Sequence, residues 1–365
     1  MKLRIDRAEL LTELLPMQGV VERKSTIPVL SHLLLRAKDG KLHLAATDLD
    51  VSLTSWCDAE VAEDGALAVQ ARKFVEIVRA VTEPTLSLSA DDSNTLVLEA
   101  GKSRFKIHGL SAEDFPTLPE VSDASKLAIS YPEFKGMVGK IFFAVSAEES
   151  RFQLNGALLK SKDGGLELVA TDGHRLALVE RPHEGATDQD GVLIPRKALQ
   201  ELQRFDSEDD LEFRRGDHHL SFRLGRRELI CRILEGTFPD YEKVISKDND
   251  QSATFEKKPL GEVVHRVSLL TGDRSRAVRM KFGADLMTLS AANPDLGEAV
   301  EELGCDYGGR EMEIGINPDY LSQFLSVVGT DSVRFDLKDE NSQCIGFPVD
   351  GDDLRYLCVI MPMRL

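Results

Sequence analysis

The sequence is short of most signals that would mark an enzyme, a membrane protein or a disulfide-stapled domain. Its five cysteines (Cys57, Cys231, Cys305, Cys344, Cys358) are odd in number and scattered, with no CxxC pair. That argues against a disulfide frame and a zinc site, and it implies reduced thiols in a cytoplasmic protein. No run approaches the ~18 apolar residues of a membrane span, and Met1-Lys2-Leu3-Arg4 leads into no secretory segment, so no membrane partner is expected. There is no GxxxxGK[ST] phosphate loop, no HExxH and no HxH. Asp172, His174 and the His218-His219 pair come nearest to a metallohydrolase site, but a metal centre needs three or four ligands with supporting partners. No catalytic residue, no metal site and no cofactor is therefore assigned. Excess positive charge is missing too, since the chain carries a net −17. The deficit extends along it: 14 Lys and Arg face 20 Asp and Glu in residues 1–125, 19 face 22 in 126–248, and 12 face 20 in 249–365. Any contact with nucleic acid must come from a localised cationic face.

What the sequence does contain is itself, three times. Ala46-Thr47-Asp48 returns as Ala170-Thr171-Asp172 and, more loosely, as Ala292-Asn293-Pro294. Arg72-Lys73, Arg196-Lys197 and Pro318-Asp319 each open an amphipathic stretch, and Phe115-Pro116 returns as Phe238-Pro239. A period of ~120 residues exceeds a solenoid unit of roughly 20–50 residues and matches a whole domain. Three tandem domains are expected, at 1–122, 127–246 and 251–365, with polar linkers around 119–126 and 245–252.

Within each repeat the apolar spacing predicts two helices. Leu10, Leu11, Leu14 and Leu15 mark one, and Phe74, Ile77, Val78 and Val81 the next. Phe134 to Val145 form a longer stripe, followed by Ala198, Leu199, Leu202 and Phe205 with Pro195 suited to a first helical turn. The third repeat has Leu260, Val263, Val264 and Val267, then Leu321, Phe324, Leu325 and Val328 after an Asn317-Pro318 start. Between helices the pattern alternates with period two around turns at 91–94, 215–217 and 339–341, as in hairpins with one buried face. The fold class is α+β: three copies of a domain with helices laid on antiparallel sheet.

Opposite the apolar stripes lie Arg72, Lys73, Glu76 and Arg79; Lys135, Gly136, Gly139 and Lys140; and Arg196, Lys197, Gln200, Gln203 and Arg204. A solvated helix face explains any one set. Recurrence at equivalent positions favours a surface that meets phosphate.

Taken together, the triple repeat, Ala170-Thr171-Asp172-Gly173-His174-Arg175-Leu176-Ala177, Leu154-Asn155-Gly156, Phe238-Pro239-Asp240-Tyr241 and the ending Val359-Ile360-Met361-Pro362-Met363-Arg364-Leu365 resemble the bacterial DNA polymerase III beta subunit family, the DNA sliding clamps. The resemblance runs end to end. It implies a head-to-tail homodimer closed into a ring, a DNA-clamp architecture with helices lining the hole and sheet outside. It implies a polymerase processivity factor, not an enzyme. The partners it implies are double-stranded DNA encircled without sequence preference, the polymerase III alpha subunit, the clamp loader, and other polymerases and mismatch-repair or ligase proteins that carry clamp-binding motifs.

Similarity to the family points to Lys24, Arg151, Phe152 and Gln153 as DNA-contacting, with Arg72, Lys73, Arg196 and Lys197 on the inner face. Gln153 stands where the family often has an aromatic residue. The peptide pocket implied by the resemblance comprises Leu154, Thr171, Gly173, His174, Arg175, Leu176, Pro239, Lys243, Val244, Asn317, Tyr320, Met361, Pro362, Met363 and Arg364. Lys243 replaces a frequent arginine, a point charge for a planar fork. Leu and Met suit an adaptable apolar slot for an extended peptide. For the ring contact the resemblance points to Lys73, Arg104, Phe105, Ile107 and Leu110 facing Leu269, Leu270, Glu298, Glu301 and Glu302, with complementary signs. A tandem scaffold that binds peptides without encircling DNA is the alternative.

Overall fold

The computed structural model describes residues 1–365 except 23–25, 92, 122–124, 149, 163, 184–188, 273–275 and 352–353. Six α-helices lie among the described residues: α1 Arg7–Val20, α2 Ala71–Ala80, α3 Tyr131–Ile141, α4 Arg196–Leu202, α5 Lys257–Ser268 and α6 Pro318–Val327. The expected stripes bury as helices, with local differences. On α1 the buried line is Leu10, Leu14 and Met17, while Leu15 is exposed, and Glu13 is buried in its place. Glu13 is tolerated because Ser55 Oγ donates to it at 2.6 Å and Arg227 at 2.8 and 3.0 Å. Side-chain caps start three helices: Asp6 accepts from the Glu9 N–H, Gln70 from that of Lys73 and Asn317 from that of Asp319. The stripe read through Val145 stops at Ile141 and tightens into a 3₁₀ turn at Phe142–Ala144. Pro195 ends the strand Gln189–Pro195 and does not enter α4.

The residues group into two compact units, Met1–Lys135 with Lys197–Ile233, and Gly136–Arg196 with Leu234–Leu365. The second repeat is thus shared between them, because its strands join sheets begun by its neighbours. In the first unit a thirteen-stranded sheet runs through both repeats, with Arg227–Arg232 antiparallel to Val51–Asp58. In the second unit a nine-stranded sheet does the same, with Arg175–Pro182 antiparallel to Arg355–Ile360. A four-stranded sheet completes the second unit, with Gly297–Gly304 at its edge. The strands Ser125–Ser130 and Gln251–Glu256 take up only the last two residues of each segment read as a linker. Helix α1 packs on α2 in the first unit and α5 on α6 in the second.

The Ala-Thr-Asp repeat now has a physical meaning. Thr47 and Thr171 each end a strand, and each hydroxyl donates to a carbonyl four residues on, of Val51 and Arg175. Asp48 accepts from the N–H groups of Asp50 and Val51, and Asp172 from those of His174 and Arg175. Asn293 accepts from Asp295 N–H in the third copy. The motif is an Asx-type turn that closes one hairpin of each domain. Its tip demands a left-handed residue, filled by Gly173 at φ 88° and by Leu49 at φ 82°.

Candidate functional site

In the second unit the hairpin turn at 171–176, the 3₁₀ turn Tyr241–Lys243, helix α6 and the C-terminal tail converge. Leu176 joins Val169, Leu178, Tyr241, Ile345, Leu357 and Val359 in one apolar cluster, with Phe238 and Ile245 packed against it. Arg175 organises the rim. It is 9% exposed, its Nε donates to Asp172 at 3.0 Å, and its Nη atoms donate to Gln323 and to the Phe143 carbonyl. Its guanidinium also faces the rings of Tyr320 at 4.3 Å and Phe143 at 5.1 Å. Burial pushes the Tyr320 phenol above its usual range, as expected of a ring set into such a wall.

The tail is fastened at two points. The Met361 N–H donates to the His174 carbonyl at 2.9 Å and that of Met363 to Gly315 at 2.9 Å. Gly315 is needed there, since a Cβ would sit 2.5 Å from the Met363 carbonyl oxygen. Met361 remains 39% exposed, and Gly173, His174, Pro239, Val244 and Arg364 are exposed around it. Leu154 and Thr171 are buried beneath, Asn317 caps α6, and Pro362 is half-buried. These groups form an apolar floor rimmed by a pinned cation and open backbone groups, which suits an extended peptide with apolar side chains. Lys243 points away from that role, because it pairs with Asp240 at 2.7 Å on an exposed turn. Gln323, Phe143 and Gly315 belong to the site but carry no sequence signal: their roles come from residues far along the chain.

The cations read as a phosphate-facing surface are more occupied than their spacing implies. Lys24 lies outside the described residues. Arg72 and Lys73 are exposed, yet both pair with Glu76 at 2.8 Å. Arg196 donates to the Val145 carbonyl at 2.6 Å and lies against the Phe142 ring at 4.6 Å; burial, then Arg175, lowers its pKa. Lys197 donates to the Val20 carbonyl at 2.9 Å and to Asp48, and Lys135 to the Phe205 carbonyl at 2.7 Å. These three brace the fold. Arg151 is half-buried, with contacts to the Asp172 carbonyl and Glu148, beside an exposed Phe152 (69%) and Gln153. On α3, a Cβ added at Gly136 or Gly139 would meet nothing within 4 Å, so that helix face is bare.

Two of the open strand edges carry the residues expected at the ring contact. Ser103–Leu110 pairs with Thr95–Ala100 along its length but with Gly65–Gln70 only at Gly109 and Leu110. It presents Arg104, paired with Glu99 at 3.0 Å, with Phe105 half-buried and Ile107 buried. Gly297–Gly304 pairs only with Leu286–Asn293. Glu298 and Glu302 are exposed there, while Arg266 holds Glu301 at 2.8 and 2.7 Å. Leu269 is 65% exposed and Val300 60%, whereas Leu270 and Leu110 are half-buried.

Comparison with known proteins agrees along the whole chain. Family models for the N-terminal, central and C-terminal domains of the DNA polymerase III beta subunit match residues 1–119, 128–240 and 242–364. A beta sliding clamp of Pseudomonas aeruginosa is 36% identical over 369 residues, covering all of both chains, and one of Caulobacter vibrioides is 36% identical over 375. The crystal structure of the DNA polymerase III subunit beta from Pseudomonas aeruginosa superposes with a TM-score of 0.94 at 35% identity, covering all of both chains, and that from Thermotoga maritima with 0.94 at 26%, covering all of this chain and 99% of the other. A Pseudomonas aeruginosa clamp bound to griselimycin superposes equally well, at 0.94. Three tandem copies of one α+β domain, carrying one turn motif and matched from end to end, place this chain in the DNA polymerase III beta subunit family, the sliding clamps.

Proposed function

We propose that the protein is a DNA polymerase processivity factor in which two copies join head to tail around duplex DNA. The observation that carries this reading is the pair of open sheet edges, one with Arg104 and Lys106, the other with Glu298, Glu301 and Glu302. Each edge exposes unpaired backbone groups that a second chain can satisfy, and the signs are complementary. A heterologous contact that closes makes a ring. Topological enclosure needs no tight binding, and cations half-neutralised by Glu76 suit sliding, since each free phosphate contact adds salt-sensitive affinity. Domain boundaries at 1–122, 127–246 and 251–365 follow the repeat. The apolar site of the second unit tethers clamp-binding motifs of the polymerase III alpha subunit, the clamp loader, other polymerases, and mismatch-repair or ligase proteins. The protein is an accessory subunit with no catalytic residue of its own. The test is retention on nicked circular DNA after loading: release on linearisation is expected. Equal retention on linear and circular DNA overturns the sliding mechanism and leaves a peptide-binding scaffold.

A further inference from the structure

The internal repeat builds the hairpin floor of the peptide site twice, and the two floors differ in chemistry. With the Ala-Thr-Asp motifs aligned, Leu176 corresponds to Ser52 and Leu178 to Thr54. Cross-strand partners follow: Leu176 faces Val359 and Leu178 faces Leu357, whereas Ser52 faces Ile230 and Thr54 faces Glu228. One strand further, Ile345 corresponds to Ser221. The floor that is Leu, Leu, Val, Leu and Ile in the second unit is thus Ser, Thr, Ile, Glu and Ser in the first.

Ser52, Thr54, Glu228 and Ile230 line a cleft of about 1270 Å³, wholly within the first unit and walled by residues 112–121, with Ser221 buried beneath. Six Arg and Lys side chains line it against four Asp and Glu, a reversal of the chain's overall balance. Both Glu228 oxygens are taken, by Ser221 at 2.7 Å and Arg223 at 3.1 Å, and Asp39 lies 3.9 Å from Lys38. Arg227 is spent on the buried Glu13, Arg226 on Glu9 and Arg214 on Glu212. The Arg36 side chain is exposed and has no ion-pair or hydrogen-bond partner among the described residues, and Arg223 is 44% exposed; Glu113 and Glu120 are exposed on the opposite wall. Arg36, His43 and Trp56 stand side by side on three adjacent strands. Lys41 Nζ lies 3.3 Å from the Trp56 ring centroid and the Arg226 guanidinium 4.7 Å. Burial, then Lys41 and Arg36, lowers the His43 pKa, which fits positive potential at this end.

We propose that this cleft is a second peptide site, selective for an extended acidic segment of a partner protein whose carboxylates pair with Arg36, Lys38 and Arg223 beside Trp56. Apolar motifs are disfavoured, because covering the partly exposed Arg223–Glu228 pair with hydrocarbon would take a charged pair out of water. Carboxylates instead meet arginines in charge-assisted hydrogen bonds. The repeat thereby yields two sites of one topology and opposite taste. The proposal is independent of ring closure, since it needs neither DNA nor a second copy.

Trp56 is the only tryptophan in the chain, so its fluorescence reports this cleft directly. The full-length protein is titrated at fixed ionic strength with an octaglutamate peptide, an octalysine peptide, inorganic phosphate and a duplex oligonucleotide. Octaglutamate alone is expected to give a saturable change in Trp56 emission, unaffected by a polymerase-derived apolar motif peptide. Arg36→Glu should weaken it roughly fivefold, the upper range for one exposed pair. Lys38→Glu, on the exposed rim, should act in the same direction, with circular dichroism melts confirming that both variants fold. No saturable change, an equal response to phosphate, preference for the duplex, or unchanged affinity in both folded variants overturns the proposal.

Discussion

The guanidinium of Arg175 stacks 4.3 Å from the Tyr320 ring centroid, so a hairpin tip of the second repeat is locked to the first turn of α6 in the third. The same side chain is held by Asp172, Gln323 and the Phe143 carbonyl. Arg175→Ala removes a buried, multiply bonded guanidinium and leaves a void between the hairpin tip and α6, at an expected cost of about 1–3 kcal/mol. Arg175→Lys recovers little, because an ammonium cannot stack and fork at once. Urea unfolding and fluorescence anisotropy with a labelled polymerase-derived motif measure both effects. A wild-type midpoint and affinity in Arg175→Ala would remove this residue from the site.

Removal of Met361 to Leu365 should abolish binding of that motif while leaving the dimer mass unchanged in sedimentation. Gly315→Leu is expected to reproduce the loss with the tail still present, since its side chain would occupy the space of the Met363 carbonyl and Leu365. Unchanged anisotropy in either variant counts against the tail as part of the pocket.

Leu269→Glu and Val300→Lys alter exposed side chains beside one open edge. Each should lower the dimer fraction in sedimentation at micromolar concentration while the thermal melt moves little, because surface changes typically stay within about 0.5 kcal/mol. A persistent dimer in the double variant would place the contact elsewhere.

The two turn tips make opposite predictions from one geometry. Leu49 holds φ 82° with an exposed side chain, so Leu49→Gly should stabilise by ~0.5–1 kcal/mol as left-handed strain outweighs added chain entropy. Gly173→Ala should cost ~1–2 kcal/mol, with its Cβ 2.9 Å from Arg151 Nη1. Chemical denaturation of both decides, and a loss in Leu49→Gly would refute the strain account.

His43 and His219 titrate below their usual value of 6.5, each through burial first, then Lys41 and Arg36 for His43 and Arg232 for His219. The unfolded chain therefore takes up these protons before the folded one does. Their contribution is complete above pH 6.5 and is lost as pH falls toward the lowered folded values. His43→Gln should flatten the fall of the urea midpoint between pH 7 and about 5.5. An unchanged slope in the double variant with His219→Gln would show that other groups control it.

Little of the site was legible from the residues alone. Asn317 reads as a cap because capping is local, whereas Gly173, Leu176 and the other pocket residues came only through the resemblance to the family. The cations were not legible either. Arg196, Lys197 and Lys135 look like open charges on their helices, yet carbonyls 51 to 177 residues away hold them. A charged side chain on a helix carries no local mark of whether a remote backbone oxygen will meet it.

The triple repeat, the α+β class, the helix stripes and the Asx-type turns were determined by the sequence itself, since short-range backbone preferences and apolar spacing act within a few residues. Tertiary structure alone decided that the second repeat would be shared between two sheets, that Arg72, Lys73 and Arg79 would stay at the surface, and that one hairpin floor would be apolar and its twin largely polar. Those outcomes depend on cross-strand register and on charges paired across the chain, which no local window contains.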